Sequence, residues 1–387
     1  MKVLMVNNRL KVYGGEGTYM TSLGDELSLE GHDVQYFGLK DQDDLHGNRY
    51  GIYAKKSKNP FKLLKNNYNR KQFAKILDLF KPDIIHIHLI YFTLTPSILL
   101  EAKKRNIKVI QTIHDGKIVC PSYQLYIKNE NIPCTLCING DFKNCVRHKC
   151  HKNSLFLSYI AYKEAVYNRK KCYYNLIDKF VFPSSFMKKI HLEFGIPEDK
   201  TVVLKNFSRI EKINSINKSK EPYVLFFGRV TRIKGIHLII EAARKLPNIK
   251  FKIVGNGEMI EQLVGINNIE VLGFKSGEDL KDVISKARLS VFPSICYENC
   301  PMSIQESLAL GTPVVGSNLG GIPELINIGE NGFVFKPNDV DDFVDKIVKI
   351  YNNNIFYSSN CLSSSNLIDI NNYTKDILKV YYEQINS

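Results

Sequence analysis

The chain has 387 residues, 44% of them hydrophobic and 24% charged. That balance is ordinary for a globular protein, the length favours two domains over one core, and no apolar run approaches the ~20 residues of a membrane span. The net charge is +14, but residues 1–206 carry 33 Lys+Arg against 19 Asp+Glu while residues 207–387 carry 20 of each. The whole excess lies in the first half. Such a half attracts anions, whether a membrane face, a diphosphate or nucleic acid, unless it is only a solvated basic surface. The opening MKVLMVNNRL is too short and too strand-like for a signal peptide, so a cytoplasmic location is expected.

In chain order, KVLMVNN (2–8) reads as a buried strand, followed by the glycine loop GGEG (14–17) and a helix near 18–30. HDVQYFGL (32–39), PDIIHIHL (82–89), IKVIQTIHD (107–115) and KFVFPSS (179–185) read as further strands, with a helix over 95–106. Short apolar strands alternating with helices indicate a parallel sheet covered on both faces. After the polar linker 208–222 the pattern restarts. PYVLFFG (222–228), IKFKIVG (249–255), IEVLGF (269–274), RLSVFPS (288–294) and TPVVGSN (312–318) read as strands, with helices at 234–246 and 277–287. The expected architecture is α/β: two Rossmann-like domains, 1–206 and 207–387, facing across a cleft. The last helix, 373–384, has no strand after it and is expected to cross back to the first domain. Ligands in such sheets bind beyond the carboxyl ends of the strands.

Post-strand loops therefore hold the candidate site. YENCPMSIQE (297–306) places Glu298 in a loop and Glu306 in a helix over 301–310, opened by Pro301 and closed by Gly311. Glu306 lies about 7.5 Å along the axis from the helix start, whose N–H groups suit a phosphate. The pair could hold two parts of one elongated ligand; the alternative is a charge on an amphipathic helix. GRVTRIKG (228–235) sends Arg229 and Lys234 from a strand end, a charge pair suited to a diphosphate leaving group, or else two solvated loop charges. Gly14 and Gly15 permit close backbone approach, although most such pairs are simply turns.

GGEG (14–17), TIHD (112–115), GRVTRIKG, the E-x7-E pair and GGIPE (320–324), in that order, resemble the retaining glycosyltransferases of family 4, which have the GT-B fold. The resemblance covers nearly the whole chain and is densest over 222–335. It implies that Arg229 and Lys234 neutralise the diphosphate of a nucleotide-sugar donor, most simply a UDP-sugar. Glu306 would hold the ribose, and Glu298 would contact the transferred sugar, with the backbone of Asn299, Cys300, Pro301 and Met302 around sugar and phosphate. His114 would touch the sugar or reacting centre. Gly15 and Glu16 would line the phosphate side, and Leu272 to Phe274 would approach the base. No catalytic divalent metal is implied, and the leaving phosphate would serve as base. Where many relatives have a glycine-rich segment between the glutamates, this chain has ENCP, which leaves the donor sugar open. DQDD (41–44) imitates the metal motif of the other main glycosyltransferase fold, but that fold would leave GRVTRIKG unexplained.

Within the insertion 120–151, Cys134, Cys137, Cys145 and Cys150 have spacing that fits a structural zinc site; free reduced thiols are the alternative. The segment 54–82 mixes lysines with Phe61, Leu63, Leu64, Phe73, Ile76, Leu77 and Phe80. It suits an anionic membrane surface or an ordinary helix with a solvated lysine face. The resemblance tips the reading toward a peripheral membrane enzyme. It would extend a glycan or polyprenyl-diphosphate-linked acceptor in cell-surface polysaccharide synthesis. Rival readings are a GT-B nucleotide-sugar epimerase and a non-catalytic nucleotide-sugar or nucleic-acid binding protein. No helix-turn-helix or RNP-like motif supports nucleic acid.

Overall fold

A computed structural model describes residues 1–10, 15–41, 44, 46–57, 63–208, 210–215, 220–363 and 368–387. Gly14, Phe61 and the centre of DQDD lie outside the described residues. The chain divides into two compact units. One comprises Met1–Asn129, Thr135–Lys205 and Ile370–Ser387, and the other Glu130–Cys134 and Asn206–Asp369.

The first unit contains β1 (Lys2–Arg9), α1 (Gly15–Leu29), β2 (Asp33–Leu39), α2 (Asn67–Phe80), β3 (Ile84–Ile87), α3 (Leu99–Lys104) and β4 (Lys108–Thr112). The short β5 (Tyr126–Ile127) follows; β6 (Ile132–Pro133) falls in the second unit. The first unit resumes with α4 (Lys143–Arg147), α5 (Leu155–Lys170), β7 (Lys179–Phe182), α6 (Ser185–Phe194) and β8 (Thr201–Val203). Its six-stranded sheet has the order β2-β1-β3-β4-β7-β8 and is parallel throughout. The strands carry apolar residues on both faces because helices cover both; β3 is buried at every position.

In α2 the residues Phe73, Ile76, Leu77 and Phe80 fall at helical spacing and are at most 1% exposed. Its apolar face is therefore core. These four side chains, expected on sequence grounds to suit a lipid surface, do not face outward, and the ordinary-helix alternative holds for α2.

The second unit contains β9 (Glu221–Phe227), α7 (Ile236–Lys245), β10 (Lys250–Val254), β11 (Ile269–Gly273), α8 (Gly277–Lys286), β12 (Ala287–Phe292), α9 (Met302–Ala309), β13 (Val314–Ser317), β14 (Gly332–Phe335), α10 (Val340–Asn352) and α11 (Asn354–Leu362). Its parallel sheet runs β11-β10-β9-β12-β13-β14. Leu225, Phe227, Phe292, Ile304 and Val314 pack in one core. The last helix, α12 (Ile370–Ile385), returns to the first unit: Tyr381 Oη meets His86 Nδ1 at 2.6 Å.

Both sheets reverse their winding once. In the first the reversal lies between β1 and β3, and in the second between β9 and β12. The crevice beyond the carboxyl ends of the strands at such a reversal is where open α/β sheets bind ligands.

Candidate active site

In the second unit the loops leaving β9 and β12 meet at the reversal. Lys234 Nζ lies 2.5 Å from Glu298 Oε1, and Ser294 Oγ donates to the same oxygen at 2.9 Å. Burial opposes the charge of Glu298. Lys234, Ser294 and the nearby Arg229 outweigh that opposition and hold its carboxyl below the usual range. The Glu298 side chain keeps 15% exposure, so a ligand can still reach it. Cys296 Sγ sits 3.7 Å from the same carboxylate, and burial pushes its thiol up to about 12. Arg229 is exposed. The two loops thus bring an ionised carboxylate, Glu298, beside its paired cation Lys234, with the exposed cation Arg229 nearby.

Glycine geometry explains why these loops are rigid. Gly320 has φ +60°, and a Cβ there would lie 2.3 Å from the carbonyl oxygen of Glu298. Gly321 N–H donates to that same oxygen at 2.8 Å. The GGIPE loop after β13 is therefore a backbone clamp on Glu298. Gly235, at φ +79°, lies so close to Pro293 that a Cβ would sit 1.9 Å from its carbonyl oxygen. Ile295 N–H donates to Ile233 O at 2.9 Å. Together these contacts lock the Lys234 loop to the Glu298 loop.

Pro301 is the cap of α9 rather than its first helical residue. Asn206 Nδ2 donates to the carbonyl of Cys300 at 2.9 Å, fixing the chain just before the helix. Glu306 is only 4% exposed, so the solvated-surface alternative for it fails. Asn299, Pro301 and Met302 remain partly exposed. Phe274, beyond β11, is 68% exposed.

In the first unit, His114 follows β4. Its Nε2 lies 2.9 Å from His88 Nδ1, and the two rings stack at 5.2 Å. Tyr19 of α1 meets the His114 ring edge-on at 5.0 Å. Burial drives the pKa of His114 and His86 down to about 3 and that of His88 well below its usual value. All three are neutral at pH 7, so each ring carries one proton. Among the described residues, His88 Nε2 is buried without a hydrogen-bond partner. An orphaned buried N–H is rarer than an orphaned acceptor, which puts the His88 proton on Nδ1, donating to His114 Nε2. His114 then carries its own proton on Nδ1. It offers a ligand a hydrogen-bond donor, not a base.

His88, Gln111, His114, Asp115, Lys117 and Tyr174 line one pocket of this unit. Burial raises Asp115 to about 6, against the hydrogen bond from Tyr91 and the charge of Lys117, and Glu16 adds to the rise. Lys117 and Glu164 form a buried pair at 2.8 Å, with 5% and 2% side-chain exposure. Gly15 opens α1, and a Cβ on it would meet no atom of the described residues within 4 Å. Among these residues nothing demands a glycine there.

Cys145 is held protonated by its hydrogen bond to Cys150 and by burial, with Cys120 and Cys137 as further neighbours, and Cys134 acts on Tyr297. Among the described residues no group of three or more His, Cys, Asp or Glu is placed to hold a metal ion.

Sequence reasoning missed Ser294, Cys296, His88, Asp115, Lys117 and Glu164. The alternation HIH across the end of β3 was a usable signal, since residues two apart share a strand face. The pairing of Lys234 with Glu298 had no local signal.

This fold, two six-stranded parallel sheets with helices, is that of the GT-B glycosyltransferases. Sucrose-phosphate synthase from Thermosynechococcus elongatus is similar over 99% of this chain and 98% of its own, with TM-score 0.72 at 17% identity. Anabaena HepE, solved in complex with UDP and glucose, is similar over 99% of this chain and 100% of its own, with TM-score 0.66 at 16% identity. Residues 13–211 match the model of Glycosyltransferase Family 4, and residues 208–361 that of Glycosyl transferases group 1. The chain belongs to glycosyltransferase family 4. An uncharacterized glycosyltransferase of Methanocaldococcus jannaschii is 35% identical over 182 residues, 40% of this chain and 46% of that protein. The amylovoran biosynthesis glycosyltransferase AmsK of Erwinia amylovora is 29% identical over 167 residues, 38% of this chain and 41% of that protein. The chain thus spans less than half the length of these two curated relatives.

Proposed function

We propose that this protein transfers a sugar, with retention of configuration, from a nucleotide-sugar donor to a hydroxyl of a glycan or polyprenyl-diphosphate-linked acceptor, in the synthesis of a cell-surface polysaccharide. The observation that carries this reading is the Lys234–Glu298 pair beside Arg229 at the reversal between β9 and β12. Arg229 and Lys234 meet the donor diphosphate and stabilise the charge that grows on it as the glycosyl bond breaks. Glu298, clamped through its backbone and kept ionised, accepts hydrogen bonds from the sugar hydroxyls. Glu306 accepts them from the ribose, and Phe274 offers a face to the base. Gly15 and Glu16 line the phosphate side, and His114 donates through Nδ1 to the sugar. The acceptor hydroxyl forms the new bond to the anomeric carbon as the diphosphate leaves, and the departing phosphate oxygen takes the hydroxyl proton. No side chain serves as nucleophile, and Arg229 and Lys234 do the work of a divalent metal. A UDP donor is favoured by the HepE complex with UDP and glucose, and a polysaccharide product by the amylovoran enzyme.

The test is acceptor-dependent release of nucleoside diphosphate, with the anomeric configuration of the product read by proton NMR. Retention, with release lost in Lys234→Ala, supports the reading. Inversion, or equal release by Lys234→Ala, overturns it.

A further inference from the structure

The face of α5 turned away from the core carries large apolar side chains in water. Leu155 is 57% exposed, Phe156 68%, Tyr159 46% and Val166 37%. Phe156, Tyr159, Lys163, Val166 and Lys170 are spaced by three or four residues and so form one stripe along the helix. Singly exposed apolar residues are ordinary, but a contiguous stripe marks an interaction surface.

The charge around the stripe says what it meets. Between 143 and 171 the chain carries eight cations: Lys143, Arg147, Lys149, Lys152, Lys163, Arg169, Lys170 and Lys171, all exposed. The same stretch holds one acidic residue, Glu164, which is 1% exposed and bound to Lys117 on the opposite, buried side. Asp141, just before it, lies 3.7 Å from Arg147. This stretch therefore supplies +7 of the chain's net +14. Lys163 lies 5.2 Å from the centre of the Tyr159 ring, so the cation and the aromatic sit side by side. Aromatic and aliphatic side chains among lysines, with no exposed acid, match the boundary between anionic headgroups and acyl chains. A protein partner would more commonly offer both signs of charge at its rim.

We propose that α5, through Leu155, Phe156, Tyr159 and Val166 and the cations around them, docks the first unit on an anionic lipid bilayer. This places the membrane contact on α5, not on the segment 54–82. The proposal does not depend on the donor chemistry.

The test is flotation of the full chain with vesicles of phosphatidylcholine mixed with phosphatidylglycerol, and with phosphatidylcholine alone. Binding to the anionic vesicles only, weakened by salt, is expected. Phe156→Ser with Tyr159→Ser should abolish flotation. Lys163→Glu and Lys170→Glu should each weaken partitioning at least about five-fold. Lys71→Glu with Lys75→Glu, exposed on α2, should float like wild type. All these positions are exposed, and unchanged melting curves confirm the folds. The proposal fails if wild type ignores the anionic vesicles, or if the Phe156 and Tyr159 variant floats normally. It also fails if sedimentation shows a dimer dissolved by that variant while vesicles are ignored, because the stripe would then be a self-interface.

Discussion

Gly320→Ala probes the clamp on Glu298. An alanine at φ +60° sits in the left-handed region, which costs about 1–2 kcal/mol. Its Cβ would lie 2.3 Å from the Glu298 carbonyl oxygen and 2.9 Å from its nitrogen. Neither is the end of a flexible side chain, so the Glu298 backbone has to move. The 2.8 Å hydrogen bond from Gly321 N–H to that oxygen is lost or strained, worth about another 1 kcal/mol. The total is about 2–3 kcal/mol, with the carboxylate displaced from Lys234. Gly329→Ala is the control. Its φ is +81°, but a Cβ there meets nothing among the described residues within 4 Å, so only the conformational cost of about 1–2 kcal/mol applies. Urea unfolding followed by circular dichroism, together with calorimetric titration of the donor, separates the two. Gly320→Ala should be the less stable variant and lose donor affinity, while Gly329→Ala keeps it. Equal stability loss with donor binding intact in both would refute the clamp.

Gly15→Ala should leave stability unchanged or raise it by up to about 1 kcal/mol, since the fold has room for the methyl group. Donor affinity should fall about ten-fold if a ligand approaches the backbone there, a loss of about 1.4 kcal/mol in titration calorimetry. Glu164→Gln strands the buried ammonium of Lys117 and should cost about 3–5 kcal/mol in a denaturant titration. Long-range nitrogen–proton NMR on histidine-labelled protein should show His114 as the Nδ1–H tautomer, an assignment that His88→Ala should scramble.

Stability should fall as pH drops below 6.5. His86, His114 and His191 have folded pKa values of about 3, 3 and 4, and His88 lies well below its usual value. Between these and 6.5 the unfolded chain binds more protons, so stability rises with pH. Asp115, raised to about 6, has the opposite sign between 3.8 and 6, because there the folded chain binds the extra proton. Four histidines against one carboxyl leave roughly three protons near pH 5, or roughly 4 kcal/mol per pH unit. Denaturant midpoints that stay flat from pH 7 to pH 5 would contradict the neutral histidine cluster.

The fold was largely legible because parallel strands buried on both faces read as short apolar runs, as in IIHI and VVGS. Helix α9 fell within one residue of its expected ends, since proline and glycine punctuate it. The basic segment 54–82 misled because helical periodicity records an apolar face without saying what covers it; tertiary packing put Phe73 and Ile76 in the core. The stripe on α5 is hidden for the same reason: Phe156 and Leu157 are alike in sequence, but only the first is exposed. At the site, Arg229, Lys234, Glu298 and Glu306 could be named from loop position and resemblance. Their pairing could not, because Lys234 and Glu298 are 64 residues apart and meet only through the β9–β12 register.

The most direct test of the central claim is calorimetric titration of the full chain with UDP-, GDP-, ADP- and dTDP-sugars, repeated with Arg229→Ala and Glu306→Gln. Binding of one nucleotide class, lost in both variants while their melting curves match wild type, is the predicted result. Binding of no donor at millimolar concentration, or undiminished binding by both variants, would contradict it.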